Sequence, residues 1–129
     1  MVNSIELNEL ILYTFQLERK LFMKTDSYSL IEQKCNNKCL TTYEIQQLNK
    51  DVRYAFVWLI KTIVDACPNL TVEDIIFCCL AKSGIDHSII YRCMGNVNKK
   101  PVNQRKYRIK KKMEEAQCSF LFELIFSAN

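Results

Sequence analysis

Apolar residues recur every three or four positions through most of this chain, the spacing of one buried helical face. The longest clean run follows LTTYEI at residues 40–45. Ile45, Leu48, Val52, Ala55, Phe56, Leu59, Ile60 and Ile63 fall on one stripe. Thr41 with Glu44 three residues on is a capping-box signature. Pro68 cannot continue a helix, so the spacing predicts one long central packing helix ending near Ala66. Upstream, residues 5–23 predict a helix with Leu7, Leu10, Ile11, Leu17 and Leu21 on its apolar stripe. Thr14 and Glu18 interrupt that stripe, and Asn3 or Ser4 caps the first turn. Ser27 opens a short segment with Tyr28, Ile31 and Cys35 on one face, and the stretch NNK at 36–38 reads as a turn.

The pattern resumes after Leu70. Thr71 caps a helix over residues 71–83, with Glu73 and Asp74 in the first turn, where the helix dipole favours acids. Ile75 or Ile76, Cys79 and Leu80 form its inward face, and Gly84 ends it. Asp86 caps a short helix over 86–94 through Ile89, Ile90 and Cys93, closed by Gly95. A third helix covers 101–113. Pro101 fits its first turn, where a missing N–H has no intrahelical partner anyway, and Val102, Ile109 and Met113 face inward. Phe120, Leu121, Leu124 and Ile125 continue the helical spacing in the tail. The prediction is an all-α fold of five to seven helices in a single domain. Residues 1–26 form an amino-terminal helix and a candidate dimerisation element. Residues 27–129 form the all-helical domain.

Composition agrees. Two Gly and two Pro in 129 residues leave few turns for sheets. Trp58 sits one position off the main stripe; it either widens the buried face or joins Tyr54 in a dimer contact.

Charge changes the picture more. Residues 1–98 hold ten Lys or Arg and eleven Asp or Glu, whereas residues 99–112 hold eight bases and no acid. A charge run on a helix is commonly a solvated face, but exposed helices mix signs because like charges at i,i+4 repel. Lys106 with Lys110 and Arg108 with Lys112 are such pairs. Concentrating them points to an electrostatic footprint for a polyanion. With Val102 at zero degrees and about 100 degrees per residue, Asn103, Gln104, Tyr107, Arg108 and Lys111 point away from the core. Arg105 and Lys112 flank one side and Lys110 the other. Amides and Arg can reach base edges, while flanking cations can hold phosphates. The expected DNA-binding set is therefore Lys100, Asn103, Gln104, Arg105, Tyr107, Arg108, Lys110, Lys111 and Lys112, with Arg105, Lys110 and Lys112 on phosphates. Two short helices bracing a third is the arrangement of helix-turn-helix readers, expected here at residues 70–113.

Other chemistries find little. Cys35 and Cys39 lie four apart, but a structural zinc takes four ligands, and His87 is the single His. The two cysteines fit a helix end and a loop, and His87 a surface position at a helix start. Gly84 and Gly95 cannot make a phosphate-cradling loop. Glu73-Asp74 and Glu114-Glu115 fit helix ends. No nucleophile and base stand at a recognisable spacing, so the chain reads as no enzyme, with no cofactor and no metal. Five of the seven Cys (Cys67, Cys78, Cys79, Cys93 and Cys118) lie in or beside apolar helical pattern and read as reduced, mostly buried small hydrophobes. With no basic leader ahead of an apolar segment and no run near the roughly 20 apolar residues of a membrane span, the expectation is a cytoplasmic protein with no membrane association.

The segment also resembles the LuxR-type helix-turn-helix. The matching residues are Leu70-Thr71, Asp74, Leu80, Gly84, Ile90, Gly95, Val102, Arg105, Arg108-Ile109, Lys111-Lys112 and Met113. More closely, residues 27–126 look like the carboxy-terminal effector region of Bacteroidetes regulators that carry it behind tetratricopeptide repeats. Leu40-Thr41, Cys67-Pro68-Asn69-Leu70-Thr71, Cys78-Cys79-Leu80 and the tail from Phe122 to Ile125 carry that likeness. The resemblance implies transcriptional regulation through double-stranded DNA. A single reading unit makes few phosphate contacts, which makes a homodimer a candidate assembly. It departs from the family at Ile89, where an acid is usual, at Tyr91, where a small residue is usual, and at Pro101 in a longer turn. The Tyr91 and Pro101 departures favour an alternative: a non-catalytic protein-interaction module that retains a degenerate helix-turn-helix and offers its basic helix to an acidic protein partner.

Overall fold

A computed structural model describes residues 4–127. These residues fold as eight helices with no strand among them: α1 (Ser4–Phe22), α2 (Asp26–Lys34), α3 (Thr42–Ala55), α4 (Val57–Ala66), α5 (Val72–Lys82), α6 (His87–Cys93), α7 (Lys100–Glu115) and α8 (Ser119–Phe126). The expected all-α class stands, but the count of five to seven does not. The extra element comes from the central helix, which breaks at Phe56 (φ −106°, ψ 44°) into α3 and α4.

The break has a physical cause. Phe56 is fully buried and packs on Phe22 of α1, ring centroids 5.6 Å apart. The first turn of α4 then has amides with no preceding helical turn to meet them. Glu18 of α1 supplies the acceptor: Oε2 takes the Trp58 N–H at 2.7 Å and Oε1 takes the Leu59 N–H at 2.9 Å. Glu18 is therefore buried as a helix cap, where sequence spacing placed an interruption. On either side of the break the predicted stripe holds, with Leu48, Val52, Ala55, Phe56, Leu59 and Ile63 all buried.

On α1 the expected stripe is wrong by about a quarter of a turn. Phe15, Glu18 and Phe22 face the core, with Ile11 packed beside them. Leu7, Leu10, Leu17 and Leu21 are exposed instead. Phe rings bury more apolar surface than Leu side chains, so the docked face is the one carrying Phe15 and Phe22. Asn3, one of the two expected caps, lies outside the described residues. Trp58, 57% exposed, and Tyr54, 67% exposed, do not widen the core face. The second segment starts one residue early, at Asp26, with Thr25 as its cap. Ser27 is buried instead, its N–H donating to Asp51 at 3.3 Å.

Helices α1 to α4 pack on one another, and α5 packs on α3, α4, α6 and α8. The α5–α6 turn is fixed to α1. Arg19 Nε donates to the Ser83 carbonyl at 3.1 Å. Gly84, at φ +80°, lies under that guanidinium, so a Cβ there would come within 2.6 Å of it. Arg92 of α6 ties the other side down, donating to the Cys35 and Asn36 carbonyls at 3.1 and 2.6 Å. The last four helices are thus seated on the first four by directed hydrogen bonds as well as by apolar contact.

Candidate nucleic-acid interface

Local sequence sets each of the three helices that carry the basic segment. Thr71 and Asp74 close a capping box on α5, the Thr71 N–H donating to Asp74 Oδ2 and the Asp74 N–H to Thr71 Oγ1, both at 3.1 Å. Asp86 caps α6 by accepting the Ser88 N–H at 2.8 Å. Gly95, at φ +80°, turns the chain out of α6, and the Asn96 N–H closes on the Tyr91 carbonyl at 2.9 Å. Asn98 Oδ1 accepts the Lys100 N–H at 3.1 Å and, with Pro101 in the first turn, starts α7. α6 packs on α5 and α7, and α8 closes the group by packing on α5 and α7.

Val102, Ile109 and Met113 are buried, as their spacing predicts. The helix consequently turns Lys100, Asn103, Gln104, Tyr107, Arg108, Lys110 and Lys111 to solvent. Lys111 lies over the Tyr107 ring, 5.4 Å from its centroid. Glu114 and Glu115 end the exposed face with the opposite sign, so the cationic surface belongs to the first three turns of α7.

Two predicted phosphate contacts are engaged within the protein. Arg105 Nη1 donates to Asp74 Oδ1 at 2.7 Å, and its side chain is only 18% exposed. Lys112 Nζ donates to the Asn69 carbonyl at 3.1 Å and stands 3.6 Å from Asp74. Arg108 reaches within 3.8 Å of the same carboxylate while remaining half exposed. Three cations from α7 therefore converge on one acid of α5, which answers part of the charge problem the sequence posed. Burial alone would push the Asp74 carboxyl up. The hydrogen bonds from the Thr71 backbone and from Arg105 outweigh it and hold the carboxyl below the usual range.

Lys99, Lys100, Lys106, Lys110 and Lys111 make no ion pair among the described residues. Lys106 and Lys110 lie over the Phe126 and Phe122 rings of α8, at 5.3 and 5.9 Å. Asn103, Lys106, Tyr107, Lys110 and Phe122 line a shallow groove between α7 and α8. Lys106 was not among the predicted contacts. Its angular position, beside Lys110 on the α8 flank, was available from the same helical wheel.

The remaining candidates sit apart. Cys35 is buried at the end of α2. Cys39 lies in the following loop, its thiol donating to the Asn96 carbonyl at 3.1 Å. His87 is exposed at the start of α6. No helix among the described residues is long and apolar enough to cross a membrane. Comparison of the chain with protein-family models, curated proteins and solved structures returns no match.

Proposed function

We propose that the protein is a non-catalytic DNA-binding regulator of transcription that docks α7 in the major groove, with α5, α6 and α7 acting as a LuxR-like helix-turn-helix. One observation carries the reading. α7 is buried along Val102, Ile109 and Met113 and presents amide, aromatic and cationic side chains together on its opposite face. That mixture suits a helix that reads base edges while held by phosphates. Lys100, Lys106, Lys110 and Lys111 take the phosphate role. Asn103, Gln104, Tyr107 and Arg108 face base edges. Arg105 and Lys112 brace the helix from Asp74.

Binding of this kind releases counterions, so affinity falls steeply with salt. The test is fluorescence anisotropy on a labelled 30-base-pair duplex at several salt concentrations, against a variant with Lys100→Ala, Arg108→Ala and Lys111→Ala. This variant spares Arg105. Binding in the micromolar range or tighter that weakens with salt and is lost in the folded variant supports the reading. A folded wild-type protein that ignores duplex DNA at low salt overturns it, and the basic helix then belongs to a protein-interaction module.

A further inference from the structure

Helix α1 is apolar on two sides, and among the described residues only one of them is covered. Ile11, Phe15 and Phe22 face the core. Leu7, Leu10, Leu17 and Leu21 are between 38 and 55% exposed, and Tyr13 stands beside them at 59%. With Thr14, these leucines fall at 7, 10, 14, 17 and 21, alternating steps of three and four. That is the seam of a coiled coil. The seam continues into a groove of about 200 Å³ between α1 and α4, lined by Leu10, Ile11, Thr14, Phe15, Trp58 and Thr62. Both hydroxyls in that groove are spent on their own helices. Thr14 donates to the Leu10 carbonyl at 2.9 Å and Thr62 to the Trp58 carbonyl at 2.7 Å. The groove can therefore be covered by apolar side chains without stranding a polar group.

We infer that this face is the interface of a symmetric homodimer in which two α1 helices pack antiparallel, centred near Thr14. Charge selects the orientation. On the Tyr13 side of the seam, toward its outer edge, Glu9 lies in the amino-terminal half of α1 and Lys20 in the carboxy-terminal half, both exposed. About a two-fold axis near Thr14, Glu9 of each protomer meets Lys20 of its partner, Leu7 comes opposite Leu21, and Leu10 comes opposite Leu17. A parallel pair would carry the two Glu9–Lys20 flanks to opposite sides of the seam, where neither ion pair could form. The four leucines, Tyr13 and Trp58 together expose on the order of 600 Å² per protomer, so covering them from both sides reaches the lower edge of a standard interface, roughly 600 Å² per partner. The inference stands on α1 and α4 alone and does not depend on what α7 binds.

Sedimentation velocity of the full chain from about 1 to 300 µM tests it, with circular dichroism to confirm folding of each variant. The expected result is a monomer–dimer equilibrium that the double variant Leu10→Glu, Leu17→Glu abolishes. Glu9→Lys alone is expected to raise the dimer dissociation constant about two- to tenfold, since two exposed ion pairs are lost. Adding Lys20→Glu restores it by reversing both signs. A chain that stays monomeric throughout overturns the inference, and so does a dimer indifferent to the leucine changes. A dimer weakened by Glu9→Lys but not rescued by Lys20→Glu overturns the antiparallel arrangement. If the leucine variant does not fold, the charge pair decides the matter.

Discussion

The Arg105 guanidinium of α7 is bound to the Asp74 carboxylate of α5 at 2.7 Å, with Asp74 only 1% exposed. Asp74 simultaneously closes the capping box of its own helix. One side chain therefore starts α5 and positions α7. Removing Arg105 leaves the buried carboxylate with the Thr71 N–H on Oδ2 and with Lys112 and Arg108 as the nearest cations, at 3.6 and 3.8 Å. Arg105→Ala is expected to lower unfolding stability by about 2–3 kcal/mol, within the range for an orphaned charged hydrogen-bond partner. Urea denaturation checks this. Arg105→Lys recovers only part, because an ammonium cannot reproduce the forked geometry. A change within error for Arg105→Ala would show that the contact braces nothing.

The same carboxylate sets a pH dependence. Its native pKa lies below the ordinary Asp value. A depressed native pKa gives stability that is fully present above the unfolded pKa, roughly 4, and is lost as pH falls through the native value. Glu44 and Asp86 are shifted in the same direction, Glu44 first by its hydrogen bond from Lys34 and then by its cap contact with the Thr41 backbone, Asp86 by the Ser88 backbone, so the wild-type curve is a composite. Subtracting the curve of Asp74→Asn isolates one group. The variant should be less stable at pH 7, and its deficit should shrink as pH falls below about 4. A deficit that stays constant down to acid would mean that Asp74 does not titrate differently in the two states.

Glu18 has a comparable task at the α3–α4 break. Its two oxygens accept the Trp58 and Leu59 amides, and its charge sits where the α4 dipole is positive. Glu18→Ala strands two N–H groups and should cost about 2–4 kcal/mol. Glu18→Gln keeps one acceptor oxygen and should cost roughly half as much. Chemical denaturation of the two variants gives the order. Equal losses would show that the side chain matters by its volume and not by its acceptors.

How much of this was legible in the sequence depends on range. Caps and turns that involve neighbours were readable: Thr41 with Glu44, Asp86, Gly84, Gly95 and Pro101 all do what their local chemistry dictates. The inward residues of α7 were readable because a single stripe admits one choice. Failures came where two distant segments had to meet. Glu18 looked like a polar interruption because its partners lie forty residues away in α4. α1 offered two apolar stripes, and only docking against Phe56 decides between them. Arg105 looked like a free cation because Asp74 lies 31 positions earlier. A buried acid in the first turn of one helix, facing a base-rich neighbour, is the signal that a charge run is partly spent inside the protein.

That division of labour separates the cations of α7 by experiment. In the proposed DNA complex, Lys106→Ala or Lys110→Ala removes one phosphate contact. Each should weaken every duplex about equally and lower the salt slope by about one unit. Asn103→Ala should instead relax preference at one position, by about 1–3 kcal/mol between the best and the mismatched site once a site has been selected. Asn103→Ala should leave the melting temperature near wild type because Asn103 is exposed, and the lysine changes should lower it only slightly, since Lys106 and Lys110 make no ion pair among the described residues and lose one ring contact each, worth about 0.5–1 kcal/mol. Arg105→Ala differs in kind. Its DNA defect should come with a drop in melting temperature, and its salt slope should stay near wild type, because the side chain holds α7 and leaves the phosphates to others. Anisotropy and thermal melts on the same four preparations distinguish the cases. An Arg105→Ala protein with wild-type melting and a reduced salt slope would return Arg105 to the phosphate backbone.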